Sequence, residues 1–216
     1  MPEDYLRQSA LASLGLAAKA VARRTSEQGV ALRELPPPAL VNLRLAPDET
    51  ALVEALKVAL DLELPALGRS SQGNGLVAYR LGPDEWWIRT AGSADDLAVR
   101  TRRALTGGHA AVTEIGEGWT QIEVSGPQSR ALLAKACPLD FHPRAFTAGE
   151  VKQSLLSKAD AVYRLISDED GGNGDRDTGD SGAGACFEIT VRRSFADYTW
   201  RWLTDAAGEY GLAVLI

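Results

Sequence analysis

Leu40-Val41-Asn42-Leu43-Arg44-Leu45-Ala46-Pro47-Asp48 is the stretch on which the fold turns. Val41, Leu43 and Leu45 alternate with Asn42 and Arg44, the two-residue period of a half-buried strand. Asp48 then stands as N-cap of a helix whose Leu52, Val53, Leu56, Ala59 and Leu60 recur at helical spacing and face inward. A βα unit results. Outward from it, residues 75–81 and 86–90 read as two strands joined by Gly82-Pro83-Asp84-Glu85, where proline presets the turn dihedral and aspartate caps it. Ser93 with Asp96 opens a second capped helix carrying Leu97, Thr101, Ala104 and Leu105 inward, closed by Gly107-Gly108 before a strand at 111–115. The order is β-α-β-β-α-β.

The same order recurs downstream. Residues 119–124 read as a strand, and Ser125-Gly126-Pro127 opens a helix carrying Ala131, Leu132, Leu133 and Ala136. Strands follow at 151–157, 161–166 and 186–192, the last with Phe187, Ile189 and Val191 on one side and Glu188, Thr190 and Arg192 on the other. The predicted class is α+β, two ferredoxin-like βαβ halves with antiparallel sheets over about 39–115 and 116–216. In front of them, residues 1–38 read as an appended arm: an Ala-rich amphipathic helix to about Gly29, a short apolar piece and the stiff connector Pro36-Pro37-Pro38.

The last predicted helix lies in Arg192-Arg193-Ser194-Phe195-Ala196-Asp197-Tyr198-Thr199-Trp200-Arg201-Trp202-Leu203. Ser194 with Asp197 three residues on is a capping signature that starts it at Phe195. Phe195, Tyr198, Trp202, Leu203, Ala206 and Tyr210 share one face, while Ala196, Trp200, Leu203 and Ala207 form a second apolar edge. A helix apolar over most of its circumference is buried on two sides, in its own core or against another chain. The wider stripe predicts Trp202 in the core and Trp200 toward a partner, so Phe195, Tyr198, Trp200 and Arg201 are the expected subunit-interface residues. Burial in the chain's own core alone is the other reading the stretch leaves open.

Charge and composition exclude more than they assign. The chain has 216 residues and a formal charge of −6. Asp168, Glu169, Asp170, Asp175, Asp177 and Asp180 against Arg176 place −5 of it in residues 168–184, an insert whose composition predicts disorder. The rest is nearly neutral, and Arg23-Arg24, Arg102-Arg103 and Arg192-Arg193 are separated pairs, so nucleic acid is not expected. Two cysteines are too few for a disulfide scaffold. No run approaches the roughly 20 apolar residues of a membrane span, and Met1-Pro2-Glu3-Asp4 begins with acid where a signal peptide begins with base. The expected location is cytoplasmic.

Candidate active sites fail one by one. Gly68-Arg69-Ser70-Ser71-Gln72-Gly73-Asn74-Gly75 has the glycine spacing of a phosphate loop, but Asn74 stands where lysine must reach the phosphates. No dinucleotide fingerprint follows any strand. Asp175-Arg176-Asp177-Thr178-Gly179-Asp180 resembles a calcium loop, yet Cys186 falls at the twelfth position instead of glutamate. In Cys137-Pro138-Leu139-Asp140-Phe141-His142-Pro143 a thiol, a carboxylate and an imidazole lie close, but a helix C-terminus raises a thiol's pKa and two prolines mark a structural turn. Cys137, Cys186, His109 and His142 have no recognised zinc spacing. No catalytic, cofactor-binding or metal-ligating residue is assigned.

Four stretches carry a resemblance. Leu81-Gly82-Pro83-Asp84-Glu85-Trp86-Trp87, Ser125-Gly126-Pro127, Ala134-Lys135-Ala136-Cys137-Pro138-Leu139-Asp140-Phe141-His142-Pro143-Arg144-Ala145-Phe146 and Arg193 to Leu203 together resemble the gamma subunits of heterotetrameric sarcosine oxidase, in the same order from about Leu40 to Gly211. The first motif is shared with folate-dependent aminomethyltransferases; the last two are much more specific. The chain departs from the pattern in 168–184 and in 1–29. The resemblance implies an aminomethyltransferase-like (folate-binding-like) fold and a non-catalytic subunit assembled with alpha, beta and delta subunits. FAD, FMN, NAD, zinc and tetrahydrofolate are then expected in those partners and none in this chain. It implies a complex that oxidatively demethylates sarcosine to glycine and passes the one-carbon unit to tetrahydrofolate. Two rivals stand beside it: a stand-alone folate-binding protein of the same fold, and the equivalent subunit of an N-methylglutamate or dimethylglycine dehydrogenase complex.

Overall fold

The computed structural model describes residues 8–21, 25–168 and 184–216. Contacts divide the chain into two compact units, Pro38–Trp119 with Gly149–Gln153, and Met1–Pro37 with Thr120–Ala148 and Ser154–Ile216. The first strand, β1 (Val30–Glu34), belongs to the latter unit and is taken up with it.

The unit around residues 38–119 runs β2 (Ala39–Leu45), α1 (Thr50–Leu60), β3 (Ser70–Gly73), β4 (Leu76–Gly82), β5 (Glu85–Thr90), α2 (Ala94–Ala104) and β6 (Ala110–Glu114). Its sheet is ordered β3-β4-β5-β2-β6, and each neighbouring pair is antiparallel. Without β3 this is the ferredoxin-like order. Val41, Leu43, Leu45, Leu76, Ala78, Trp86 and Ile88 on one face meet Leu56, Leu60, Leu97 and Ala98 from the two helices, the alternation that the sequence predicts. Ser93 caps α2 as expected, its Oγ accepting from the Asp96 amide at 3.3 Å. Asp48 does not cap α1: Glu49 holds the N-cap position without a side-chain bond, and the Asp48 carbonyl takes the Thr50 amide instead. At the β4–β5 turn Arg44 Nη2 grips both carboxylate oxygens of Asp84 at 2.8 and 2.9 Å, and Asn42 Nδ2 donates to Glu85 at 2.7 Å. The stretch from Gly68 to Gly75, expected as a loop, is mostly strand, turned at Asn74-Gly75 with φ of +49° and +70°, the pair of left-handed residues a tight hairpin needs.

The other half of the chain repeats those seven elements as β7 (Trp119–Ser125), α3 (Ser129–Ala134), β8 (Val151–Leu156), β9 (Ala159–Asp168), β10 (Ala185–Arg192), α4 (Ala196–Ala206) and β11 (Leu212–Leu215). The fold class is therefore α+β with a duplicated ferredoxin-like pattern. One strand breaks the symmetry. The sheet order is β11-β1-β7-β10-β9-β8, so β1 is wedged where β7 and β11 would otherwise pair. It runs antiparallel to β7, with Leu32 opposite Val124, and parallel to β11, with Val30 opposite Leu212.

Residues 30–34 are thus not part of an appended arm but an interior strand. The predicted N-terminal helix also gives way among the described residues to two short 3-10 turns, Ala12–Leu14 and Leu16–Ala18, separated by Gly15 at φ +59°. Left-handed backbone cannot continue an α-helix, and Leu11 is fully buried in the same core cluster as Leu32 and Val124.

The acidic residues 169–183, and with them the calcium-loop reading, lie outside the described residues. Their flanks are held tightly. Asp168 and Ala185 are opposite each other in the β9–β10 ladder. Gly184, at φ +132°, lies so close to Gly126 that a Cβ on it would fall 2.4 Å from the Gly126 carbonyl carbon. β10 also departs from simple alternation: Phe187, Ile189 and Val191 are buried as predicted, but so are Glu188 and Thr190 on the other face. Glu188 lies 3.8 Å from Arg164, and Thr190 Oγ1 accepts from Gln121 Nε2 at 3.0 Å, so the second face is a buried polar layer.

Candidate functional site

The two stretches most specific in sequence fold as one rigid turn and one helix. In the turn, Phe141 and Phe146 insert into the core, stacked 5.8 Å apart, and Phe141 meets Phe187 edge-on at 5.6 Å and Tyr163 at 5.7 Å. Arg130 of α3 clamps this turn, donating to the carbonyls of Phe141 and, at 3.2 Å, Phe146. The same guanidinium binds the Asp168 carboxylate at 2.5 Å and lies 5.4 Å from the Phe187 ring centre. Asp140 Oδ1 accepts the His142 amide at 2.9 Å, and His142 Nδ1 accepts the Arg144 amide at 3.2 Å. Cys137 is buried in the core beside Tyr163, whose phenol is pushed above its ordinary range first by burial and then by that thiol. Carboxylate and imidazole are therefore engaged in shaping the turn, as the structural reading expects.

On α4 Trp200, expected toward a partner, is buried in this chain's own core, while Trp202, expected in the core, is half-buried and packs against it. Ala196, Thr199, Trp200, Leu203 and Ala207 are the buried stripe, and Trp200 is only 4% exposed within this chain's own core. Of the four expected interface residues, Trp200 is therefore removed. The reason is packing. Small residues at 196, 199 and 207 let the helix lie close on β10 with one large side chain between, whereas Phe195, Tyr198 and Trp202 would hold it away. The expected Ser194 cap is also unmade. A 3-10 turn at Arg193–Phe195 leads into α4, and Phe195 takes the N-cap position without a side-chain bond.

What remains open is an aromatic surface. Phe195 is 40% exposed, its ring 6.4 Å from that of Tyr198 in edge contact. Tyr198 shares a 2.8 Å hydrogen bond with Ser157 Oγ, and Ser157 is held at φ +55° in the turn after β8. Leu155, two residues earlier, is 46% exposed. Trp202 is half-buried, and Arg201 is exposed and paired with Asp197 at 2.8 Å. The sequence reading misses the burial of Trp200, for which the spacing of small residues along α4 was the available signal, and the bond of Ser157 to Tyr198, which nothing local signals. Among the described residues no three His, Cys, Asp or Glu side chains converge as metal ligands, and no helix is long and apolar enough to cross a membrane.

A duplicated ferredoxin-like repeat of this kind is an aminomethyltransferase-like fold. The chain superposes on aminomethyltransferase T of the glycine cleavage system from Bartonella henselae with a TM-score of 0.65 over 97% of its own length and 59% of that chain, at 16% identity, a likeness of fold. The family model for the sarcosine oxidase gamma subunit matches residues 45–209, and the chain belongs to that family. Among relatives, the sarcosine oxidase gamma subunit of Corynebacterium sp. strain U-96 is 29% identical over 210 residues, covering 96% of this chain and 93% of the relative. That of Corynebacterium sp. strain P-1 is 28% identical over 196 residues, covering 89% and 87%. A chain of the heterotetrameric sarcosine oxidase of Corynebacterium sp. U-96, solved with pyrrole 2-carboxylate, matches with a TM-score of 0.77 at 27% identity over 98% of this chain and 100% of that one.

Proposed function

We propose that the chain is the gamma subunit of a heterotetrameric sarcosine oxidase and serves there as a non-catalytic assembly subunit. The observation that carries this reading is the end-to-end likeness to one chain of such a complex, 98% of this chain against 100% of that one. Its partners are then alpha, beta and delta subunits in the cytoplasm. The complex oxidatively demethylates sarcosine to glycine and passes the one-carbon unit to tetrahydrofolate. FAD, FMN, NAD, zinc and tetrahydrofolate are assigned to the partner subunits, because this chain's nearest candidates do not fit them. Gly68 to Gly75 is strand and hairpin turn, not a phosphate cradle, and Cys137 is buried away from the exposed His142. Phe195, Tyr198 and Arg201, joined by Trp202 in place of Trp200, form the proposed subunit interface. Aromatic side chains beside an arginine, partly exposed on a fixed helix, are the residues that dominate protein interfaces.

The test is co-expression with the three partner genes. Tyr198→Ala and Trp202→Ala are expected to weaken recovery of the complex by about 2 kcal/mol or more of binding, roughly thirtyfold. The purified chain alone is expected to show no flavin absorbance and no sarcosine oxidation. Full assembly by both variants at parent levels would overturn the interface, and flavin retained by the isolated chain would overturn the assignment of cofactors.

A further inference from the structure

We propose that Arg102 guards the free edge of β6, and that the surface it withholds fits an antiparallel strand from a second copy of this chain. Among the described residues β6 ends its sheet and is paired with β2 alone. The Ile115 amide reaches the Leu40 carbonyl at 2.9 Å, which fixes the parity of the strand. Residues 111 and 113 turn their main chain toward β2, and Ala110, Val112 and Glu114 turn theirs outward. Five residues with an outward main chain at every second position are a template for another strand.

The template is stopped at its centre. Arg102 Nη2, from α2, donates to the Val112 carbonyl at 3.0 Å and lies 3.7 Å from the Glu114 carboxylate. An incoming strand must displace that guanidinium to reach the carbonyl. The occupant that fits is a second β6. A two-fold axis at Val112 sets Ala110 opposite Glu114 at both ends, so no two carboxylates face each other, and the small Ala110 leaves room for the longer side chain. The same axis brings both copies of Arg102 to one point, where like charges repel. The arginine therefore blocks the edge twice, by occupying its central acceptor and by charge.

Arg102 is half exposed, at 51% of its side chain, so its removal leaves the fold in place. The full chain carrying Arg102→Ala, with Arg102→Gln beside it, is compared with the parent by sedimentation across a concentration series and by hydrogen exchange. Both variants are expected to self-associate at a concentration at least about tenfold lower than the parent, with exchange of the Val112 and Glu114 amides slowed in the associated form. Association no tighter than the parent's, or tighter association without protection of residues 110–114, would overturn the proposal.

Discussion

Tyr163 shows how a single buried residue ties stability to pH. Its hydroxyl donates to the Leu155 carbonyl at 3.0 Å, and burial raises its phenol above the ordinary range. The folded state therefore keeps the proton after the unfolded chain has released it. The stability linked to this group is fully present below the unfolded phenol's pKa of about 10 and falls as pH rises above it. Tyr163→Phe removes the donor to the Leu155 carbonyl, so it is expected to cost about 1 kcal/mol near neutrality. The variant should also lose less stability than the parent between about pH 9 and 11, as denaturant melts at each pH will measure. Gly184 is constrained by backbone instead. At φ +132°, with a Cβ position 2.4 Å from Gly126, Gly184→Ala meets both strain and a clash that no side chain can relieve. It is expected to cost more than the roughly 1–3 kcal/mol of left-handed strain alone, measured as a loss of melting temperature.

At the scale of the element, the interface proposed on α4 can be tested apart from the fold. Trp200→Ala empties a core position flanked by Ala196 and Leu203 and is expected to cost about 3–5 kcal/mol of stability in the isolated chain. Trp202→Ala should melt closer to the parent and show its loss in assembly; equal melting temperatures for the two would mean the helix face is misassigned. Thermal melts of both variants without partners measure this. Several elements were legible because their determinants are local: the alternation of Val41, Leu43 and Leu45, the proline turn before Trp86, the Ser93 cap. β3 was also legible, since Asn74-Gly75 between short strands is a hairpin signal, and phosphate-loop spacing drew the reading away from it. The orientation of α4 was not. Both apolar stripes satisfy helical periodicity, and the choice between them depends on how closely the helix approaches β10, which no window of sequence contains. The exposed site is poorly legible for a related reason: Ser157 meets Tyr198 only through the turn geometry after β8.

At the scale of the whole molecule, the informative strand is β1, which repetition alone would not place. Val30-Ala31-Leu32 is short, with Gly29 before it and three prolines soon after, and its partners are β7, some ninety residues on, and β11, at the far end of the chain. Local patterns carry no information about pairings of that range. The acidic insert is the opposite case, since the residues on either side of it, Asp168 and Gly184, are fixed. Replacing residues 169–183 by a short glycine linker, with Asp168 and Gly184 kept, should change stability by less than about 1 kcal/mol, because closure entropy varies slowly with length. Extending the deletion through Asp168 strips Arg130 of its carboxylate and should cost about 1–3 kcal/mol more. A calcium-dependent rise in melting temperature, lost with the shorter deletion, would show instead that the acids bind a cation. Truncation of residues 1–37 should be far more damaging than any of these. Val30 and Leu32 are fully buried, and burying such side chains contributes about 1.5–3 kcal/mol each. Their strand supplies hydrogen bonds on both sides, so its removal leaves β7 and β11 without a common neighbour. Against a net stability of about 5–15 kcal/mol, that loss is expected to abolish the cooperative melt of this unit and the amide protection of β7 and β11. An appended arm predicts the reverse, a truncated chain that melts with the parent and keeps both strands protected, and hydrogen exchange on the two chains decides between them.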